Sequence, residues 1–335
     1  MSGIAARPRT PMTDALRGIQ APVRERLDAV TAAMQRIVTS GVPMIEEVAG
    51  YLLGRRGKMF RPTLTLLASD LEGASEPRSV ELAAVIELMH LATLVHDDSV
   101  DHSATRRGLP TVNSVYSHQV SVIMGDFLYS RALRALVTIR DFDVLRVVTD
   151  VSSELSLGEM RQLAAIDALS FGEHEYDLLI RAKTASLLAA ACESGALCGA
   201  ARFREPLARF GDRLGMAFQV VDDILDYTED ESVTGKPSGN DLREHKVTLP
   251  LIAALPNLSA AARGRVEELF AEEVPGDDLI HDVMGLVADA GGIEYARRRS
   301  EQFAQEAEDA LAGVPASPAR AALIDALAYV TDRRW

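Results

Sequence analysis

The stretch ELMHLATLVHDDSVD, residues 87–101, decides how this chain folds. The run LMHLATLV is strongly apolar and follows helical periodicity, and it ends on three aspartates, Asp97, Asp98 and Asp101. On a helix, residues i and i+4 stack on one face, so Asp97 and Asp101 project together with Asp98 beside them. Like charges at this spacing repel by about 0.2–0.5 kcal/mol, and the negative end of the helix dipole adds to the cost. One such cluster reads equally well as solvated surface. A second one, Asp222, Asp223 and Asp226 in VDDILD, ends another apolar run, LGMAFQVV. Two clusters that each oppose their own helix point to a shared cation, so they read as facing walls of one cavity. Hard carboxylate oxygens without thiolates favour Mg2+ over zinc, and Mg2+ commonly bridges to substrate phosphates.

Working outward, the rest of the chain is helical too. The periodicity predicts helices over about 13–40, 42–54, 61–72, 78–101, 111–117, 120–138, 141–167, 173–201, 204–228, 241–255, 258–272, 275–288, 292–311 and 317–333. No alternating run bounded by hairpin turns supports a sheet. The expectation is an all-α fold, with a tail over 1–12 and one helical domain over 13–335. Apolar residues make up 47% of the 335, ample for a core, while aromatics are only 5%. The net charge of −14 argues against nucleic acid as a partner, which needs a basic face.

The basic residues are nevertheless grouped. Arg106 and Arg107 follow the first cluster, Lys236 and Lys246 follow the second, and Lys58 and Arg61 sit at a loop-to-helix junction in GKMFRP. Carboxylates for metal beside separate arginine and lysine sets imply two polyphosphate groups, one metal-bound and one held by cations alone. Thr184 to Ala201 has the length of a bilayer span, yet Glu193 and Gly195 near its centre favour a helix buried inside a bundle. Cys192 and Cys198 lack companion ligands and read as reduced, and no apolar leader is evident, so a cytoplasmic protein without stable membrane insertion is expected.

The motifs GKMFRP (57–62), ELMHLATLVHDDSVDHSATRRGLPT (87–111), GDFLYSRA (125–132), KTASL (183–187), FQVVDDILDYTED (218–230) and GKPSGNDLREHKVTLP (235–250) together resemble those of the trans-isoprenyl diphosphate synthases, the polyprenyl synthetase family. The resemblance implies a single-domain bundle of long antiparallel helices around a deep central cavity. It implies that Asp97, Asp101, Asp222, Asp223 and Asp226 coordinate Mg2+, three ions per site with substrate bound, and that Asp98 supports them. Arg106, Lys183, Thr184, Gln219, Lys236 and Lys246 match residues that hold an allylic diphosphate. Lys58, Arg61, His90 and Arg107 match the site for isopentenyl diphosphate.

The chemistry so implied is ionisation of the allylic C–O bond, condensation and proton elimination, repeated along a growing all-trans chain. Glu159 and Gln162 resemble the family's G-E-x-x-Q helix, and His96 is expected to pack or hydrogen-bond. Met59 and His245 stand where the family favours a basic residue and a glycine. In such enzymes product length follows side-chain bulk below the first cluster, here Ala92 and Thr93, with Met89 one turn deeper. No aromatic residue occurs from there back to Ser79, so a hexaprenyl to decaprenyl product is expected rather than farnesyl or geranylgeranyl diphosphate. The family also implies a homodimer. Three rivals remain: a metal-dependent phosphohydrolase built on His90 and His96, a terpene cyclase, and a non-catalytic partner subunit.

Overall fold

Runs rich in alanine and leucine favour helix, and the computed structural model is built almost wholly of helices. It describes residues 12–54, 57–73, 77–106, 108–164, 168–228 and 238–331. The first part of the chain supplies α1 (Met12–Gln20), α2 (Arg24–Val38), α3 (Pro43–Leu53), α4 (Phe60–Ser69), α5 (Arg78–Val100) and α6 (Val112–Val115). The middle supplies α7 (His118–Ile139), α8 (Phe142–Ala164), α9 (Glu173–Ile180), α10 (Ser186–Gly199) and α11 (Arg204–Thr228). The remainder supplies α12 (Asn240–Arg243), α13 (Leu249–Ala254), α14 (Ala260–Ala271), α15 (Asp277–Asp289), α16 (Gly292–Ala310) and α17 (Pro318–Thr331).

Two helices lie at the centre because small and apolar residues make up nearly all of their surface. In α4 every residue from Pro62 to Ser69 is buried. It packs against α10, the segment expected to be enclosed, whose Glu193 accepts a 2.7 Å hydrogen bond from Arg204. Around this pair, α5 packs on α7, and α11 packs on α10 and α16. Helix α5 is long and apolar enough to cross a membrane by length and composition, but 56% of its apolar window is buried inside the bundle. Both cysteines are buried and free, and burial pushes the Cys192 thiol well up.

The structure corrects the expected helices in three places. The helix expected over 13–40 breaks at a 3-10 turn, Ala21–Val23, where Pro22 removes a backbone donor. The helix expected over 173–201 carries a π turn at Arg181–Ala185. This turn sits against α11 at Gly215, where a Cβ would lie 2.4 Å from the Cα of Ala185. The helix expected over 241–255 divides at His245, whose φ of +54° is left-handed. Its neighbour Lys246 closes back on the Asp241 carbonyl at 2.8 Å, the six-to-one bond of a helix end that usually employs glycine. His245 adopts that backbone while its ring reaches the Glu272 carbonyl at 2.9 Å and lies edge-on to Phe270. A small antiparallel ladder also occurs, pairing Thr105–Arg106 with Leu109–Pro110 directly after the first aspartate cluster.

A second apolar cluster stands apart from the main core. Tyr227 at the end of α11 joins Leu242, Val247, Leu251, Leu269, Ile280 and Val283 to give α12–α15 a centre of their own. The link between α12 and α13 thereby carries Glu244, His245 and Lys246 to the edge of a cavity. The expected tail over 1–12 falls almost wholly outside the described residues, as do Arg107 and Lys236.

Candidate active site

The first wall of the site is the C-terminal end of α5. Asp98 is its most buried carboxylate, and it accepts a 2.7 Å hydrogen bond from Arg106 Nε. The short ladder makes this possible by folding the chain back straight after the helix. Asp97 lies in a denser field. Burial, with Glu159 and Asp101 adding repulsion, lifts its carboxyl to about 6 against the pull of Lys183 and Arg106. His96 acts as the expected packing residue. A Cβ on Gly125 would lie 2.2 Å from its Nε2, which sits 3.2 Å from the Val122 carbonyl and 3.3 Å from Asp126. The glycine and aspartate of GDFLYSRA therefore seat the helix that bears the first cluster.

The second wall is α11, and its three aspartates differ in setting. Asp222 is exposed. Asp223 is only 3% exposed, and its two oxygens accept from Tyr176 at 2.6 Å and Gln219 at 2.9 Å. Burial, then the charge of Asp241, holds its carboxyl well above the usual range. Asp226 accepts from the backbone N–H groups of Asn240 and Asp241 at 3.1 and 3.0 Å, which starts α12.

The π turn contributes the cationic side. Lys183 donates to Gln162 at 2.7 Å and lies 2.8 Å from Glu159, so the resembled G-E-x-x-Q face does turn toward it. Thr184 donates to the Gln219 side chain at 2.8 Å. A π turn inserts one residue into a helix and often occurs where side chains must be re-aimed at a functional site. From α12 and the link that follows it come Asp241 and Lys246. Burial, then Asp226, raises Asp241 to about 7 while Lys246 opposes the shift. Burial alone would lower Lys246, but its 2.5 Å pair with Glu244 and the charges of Asp241 and Asp101 outweigh it and raise the pKa.

Part of this set shares one cavity of about 600 Å³, lined by Asp101, Gln162, Tyr176, Lys183, Thr184, Gln219, Asp223, Asp241 and Lys246 among others, whereas Asp97, Arg106, Asp222 and Asp226 do not line it. Both aspartate walls thus border the same space. Lys58, Arg61 and His90 do not line it. Lys58 lies 5.8 Å from the ring centre of Tyr329, and its carbonyl accepts from Gln20 at 2.9 Å. Arg61 opens α4 and His90 lies mid-way along α5. Met89 and Ala92 are buried in the main core, and Thr93 bonds back to the His90 carbonyl.

Sequence reasoning overlooked Tyr176, Asp241 and Glu244. Asp241 and Glu244 were marked by the run NDLREHK, where Asp241 precedes Lys246 by the span of the helix-ending bond. Tyr176 carried no comparable signal. Among the described residues no three acidic, histidine or cysteine groups converge to hold an ion alone. Mg2+ needs only one or two carboxylates when waters and phosphate oxygens complete its shell, so the donor set fits an ion bridged to a diphosphate.

Comparison with known proteins identifies the family. Residues 42–287 match the family model for polyprenyl synthetase. The chain is 37% identical to the all-trans-nonaprenyl-diphosphate synthase (geranyl-diphosphate specific) of Rhodobacter capsulatus, over 94% of this chain and 97% of that one. It is 36% identical to the octaprenyl diphosphate synthase of Escherichia coli, over 91% and 94% respectively. The crystal structure of a polyprenyl synthase from Caulobacter crescentus, complexed with calcium and isoprenyl diphosphate, superposes with a TM-score of 0.90 at 32% identity, covering 98% of this chain and all of that one. Motifs, fold and cavity converge, and the chain belongs to the polyprenyl synthetase family.

Proposed function

We propose that this enzyme condenses an allylic prenyl diphosphate with isopentenyl diphosphate and repeats the step to build a long all-trans polyprenyl diphosphate. The observation that carries the reading is a cavity bordered by Asp101 of the first wall and Asp223 of the second and lined as well by Lys183 and Lys246. Bound Mg2+, three ions in the full reading, would be held by Asp97, Asp101 and Asp222 and would supply charge stabilisation to a departing diphosphate. Asp223 and Asp226 already accept hydrogen bonds from the protein and would complete the second cluster from behind this layer.

Lys183, Lys246 and Arg106 would hold the diphosphate as the allylic C–O bond breaks, exchanging their present carboxylate partners for phosphate oxygens. Thr184 and Gln219 would fix its orientation. The isopentenyl double bond then attacks the allylic carbon, a C–C bond forms, and a proton leaves C2 for the released diphosphate. No protein nucleophile is required. Lys58, Arg61 and His90 would present the isopentenyl substrate from the α4–α5 side, with Arg107 and Lys236 completing the two diphosphate sites.

Incubating the protein with Mg2+, isopentenyl diphosphate and an allylic primer tests the reaction. Consumption of isopentenyl diphosphate with an elongated product supports it; no consumption favours the cyclase, hydrolase or partner-subunit readings. The octaprenyl and nonaprenyl synthases among the relatives and the small Ala92 support a hexaprenyl to decaprenyl product. A dominant farnesyl or geranylgeranyl product would overturn that length.

A pH dependence follows from Asp97. Its carboxyl is raised to about 6, so the ionised form costs the fold stability above that pH, and the cost fades as pH falls toward the ordinary carboxylate range. Metal binding needs the ionised form. Half-saturating Mg2+ is therefore expected to rise about tenfold for each pH unit below 6 and to level off above it. Turnover titrated with Mg2+ across this range measures the effect.

A homodimer in the cytoplasm completes the reading. Helices α7 and α8 expose Ile123 at 64%, Val137 at 62% and Phe142 at 87%, apolar side chains that a second copy would cover. Light scattering should give twice the chain mass of 36.2 kDa.

A further inference from the structure

We propose that Tyr176 is a positioning residue for the second aspartate cluster, holding Asp223 in place so that the cluster meets its metal–diphosphate load without rearranging. The proposal rests on the prenyl-transfer reading above. Tyr176 is 1% exposed, and its hydroxyl donates to Asp223 Oδ2 at 2.6 Å. Gln219 donates to the other oxygen at 2.9 Å, and its own carbonyl oxygen accepts from Thr184 at 2.8 Å. With its oxygen accepting from Thr184, Gln219 turns its amide N–H to Asp223. Every donor in the series points toward the same buried carboxylate. The series therefore runs from α9 through α11 to the π turn next to Lys183.

Helix α9 is itself braced. Arg299 on α16 donates to Glu173 at 3.1 Å and Asp177 at 3.0 Å, and Tyr295 donates to Glu173 at 2.6 Å. These bonds flank Tyr176 on both sides in sequence and fix its approach. An ordinary core tyrosine satisfies its hydroxyl on any nearby carbonyl. Here the hydroxyl is spent on a carboxylate of the cluster, and the residue also borders the cavity. Partners behind a metal site are worth about 10- to 100-fold in metal affinity or activity.

The test is Tyr176→Phe, which removes one hydroxyl and keeps the ring, with Tyr176→Met as a second donor-free variant should the first not fold. The expected result is a rise of about tenfold or more in half-saturating Mg2+, or an equal fall in kcat, with KM for isopentenyl diphosphate unchanged. Combined with Asp223→Asn, the effect should be smaller than the product of the two alone. Wild-type Mg2+ dependence and kcat in the variants would overturn the proposal. So would a lower melting temperature with unchanged Mg2+ dependence and effects that simply multiply, the mark of a packing role. Calorimetric binding of inorganic pyrophosphate with Mg2+ reads the cluster without turnover. Failure of the wild type to condense substrates would then count against the proposed reaction, while equal pyrophosphate binding by wild type and variant would count against Tyr176.

Discussion

Replacing Asp97 with asparagine is expected to lower kcat by about 10³-fold while leaving the protein more stable than the wild type. On the proposed reaction the loss follows from its place on the first wall, where ionised carboxylates would anchor Mg2+ on the departing diphosphate. Removing one preorganised charge-stabilising group typically costs about 10²–10³ in rate, and a lost metal anchor lies at the upper end. The gain in stability follows from the same field. Burial, Glu159 and Asp101 all disfavour a charge at Asp97, and an amide of equal size relieves them. A rise in melting temperature of about 1–3 °C is expected above pH 6, where the wild-type carboxylate is ionised. Steady-state rates and thermal melts on the same preparation check both signs. A variant that is stabilised but fully active would remove Asp97 from the reaction.

Ala92→Phe is expected to shorten the product. Ala92 is 1% exposed and sits on α5 one turn before the first cluster, in a core that includes Ile86, Met89, Met124 and Leu128. A phenyl group there would stand in the way of a chain growing down from the aspartates. Chromatography should show the main product falling to farnesyl or geranylgeranyl length while the first condensation continues. Inserting this bulk into a packed core costs about 1–3 kcal/mol, so the variant should also melt earlier. The structure adds a condition. Neither Met89 nor Ala92 lines this cavity, so a chain that reaches them extends beyond it into the core shared by α5 and α7. Unchanged product length in Ala92→Phe would place the growing chain along another wall.

Much of this was legible in the sequence because the strongest signals are local. Helical period, the aspartates at helix ends and the spacing of GKMFRP are all visible over a few turns. The helix 204–228 ends where its pattern does. What escaped depends on contacts between distant segments. The bond from Tyr176 to Asp223 spans 47 residues and leaves no trace in either local pattern. The π turn was hidden because Arg181–Ala185 reads as ordinary helix, and what distinguishes it is its packing against Gly158 and Gly215 and the pairing of Lys183 with Glu159 and Gln162. The break at His245 was concealed for the opposite reason. Its sequence lacks the glycine that usually announces such a turn, and the ring contacts with Glu272 and Phe270 lie far along the chain.

The separate apolar centre of α12–α15 bears on how the molecule opens. Segments with their own core tend to behave as distinct cooperative units, so amide exchange over 240–289 need not follow the exchange of α4, α5 and α10. Lys246 belongs to that unit by chain, while Asp101, whose charge it feels, belongs to the other. Any ligand that bridges them therefore draws the free energy of two foldons together, and substrate should slow exchange most in the segment that is least protected without it.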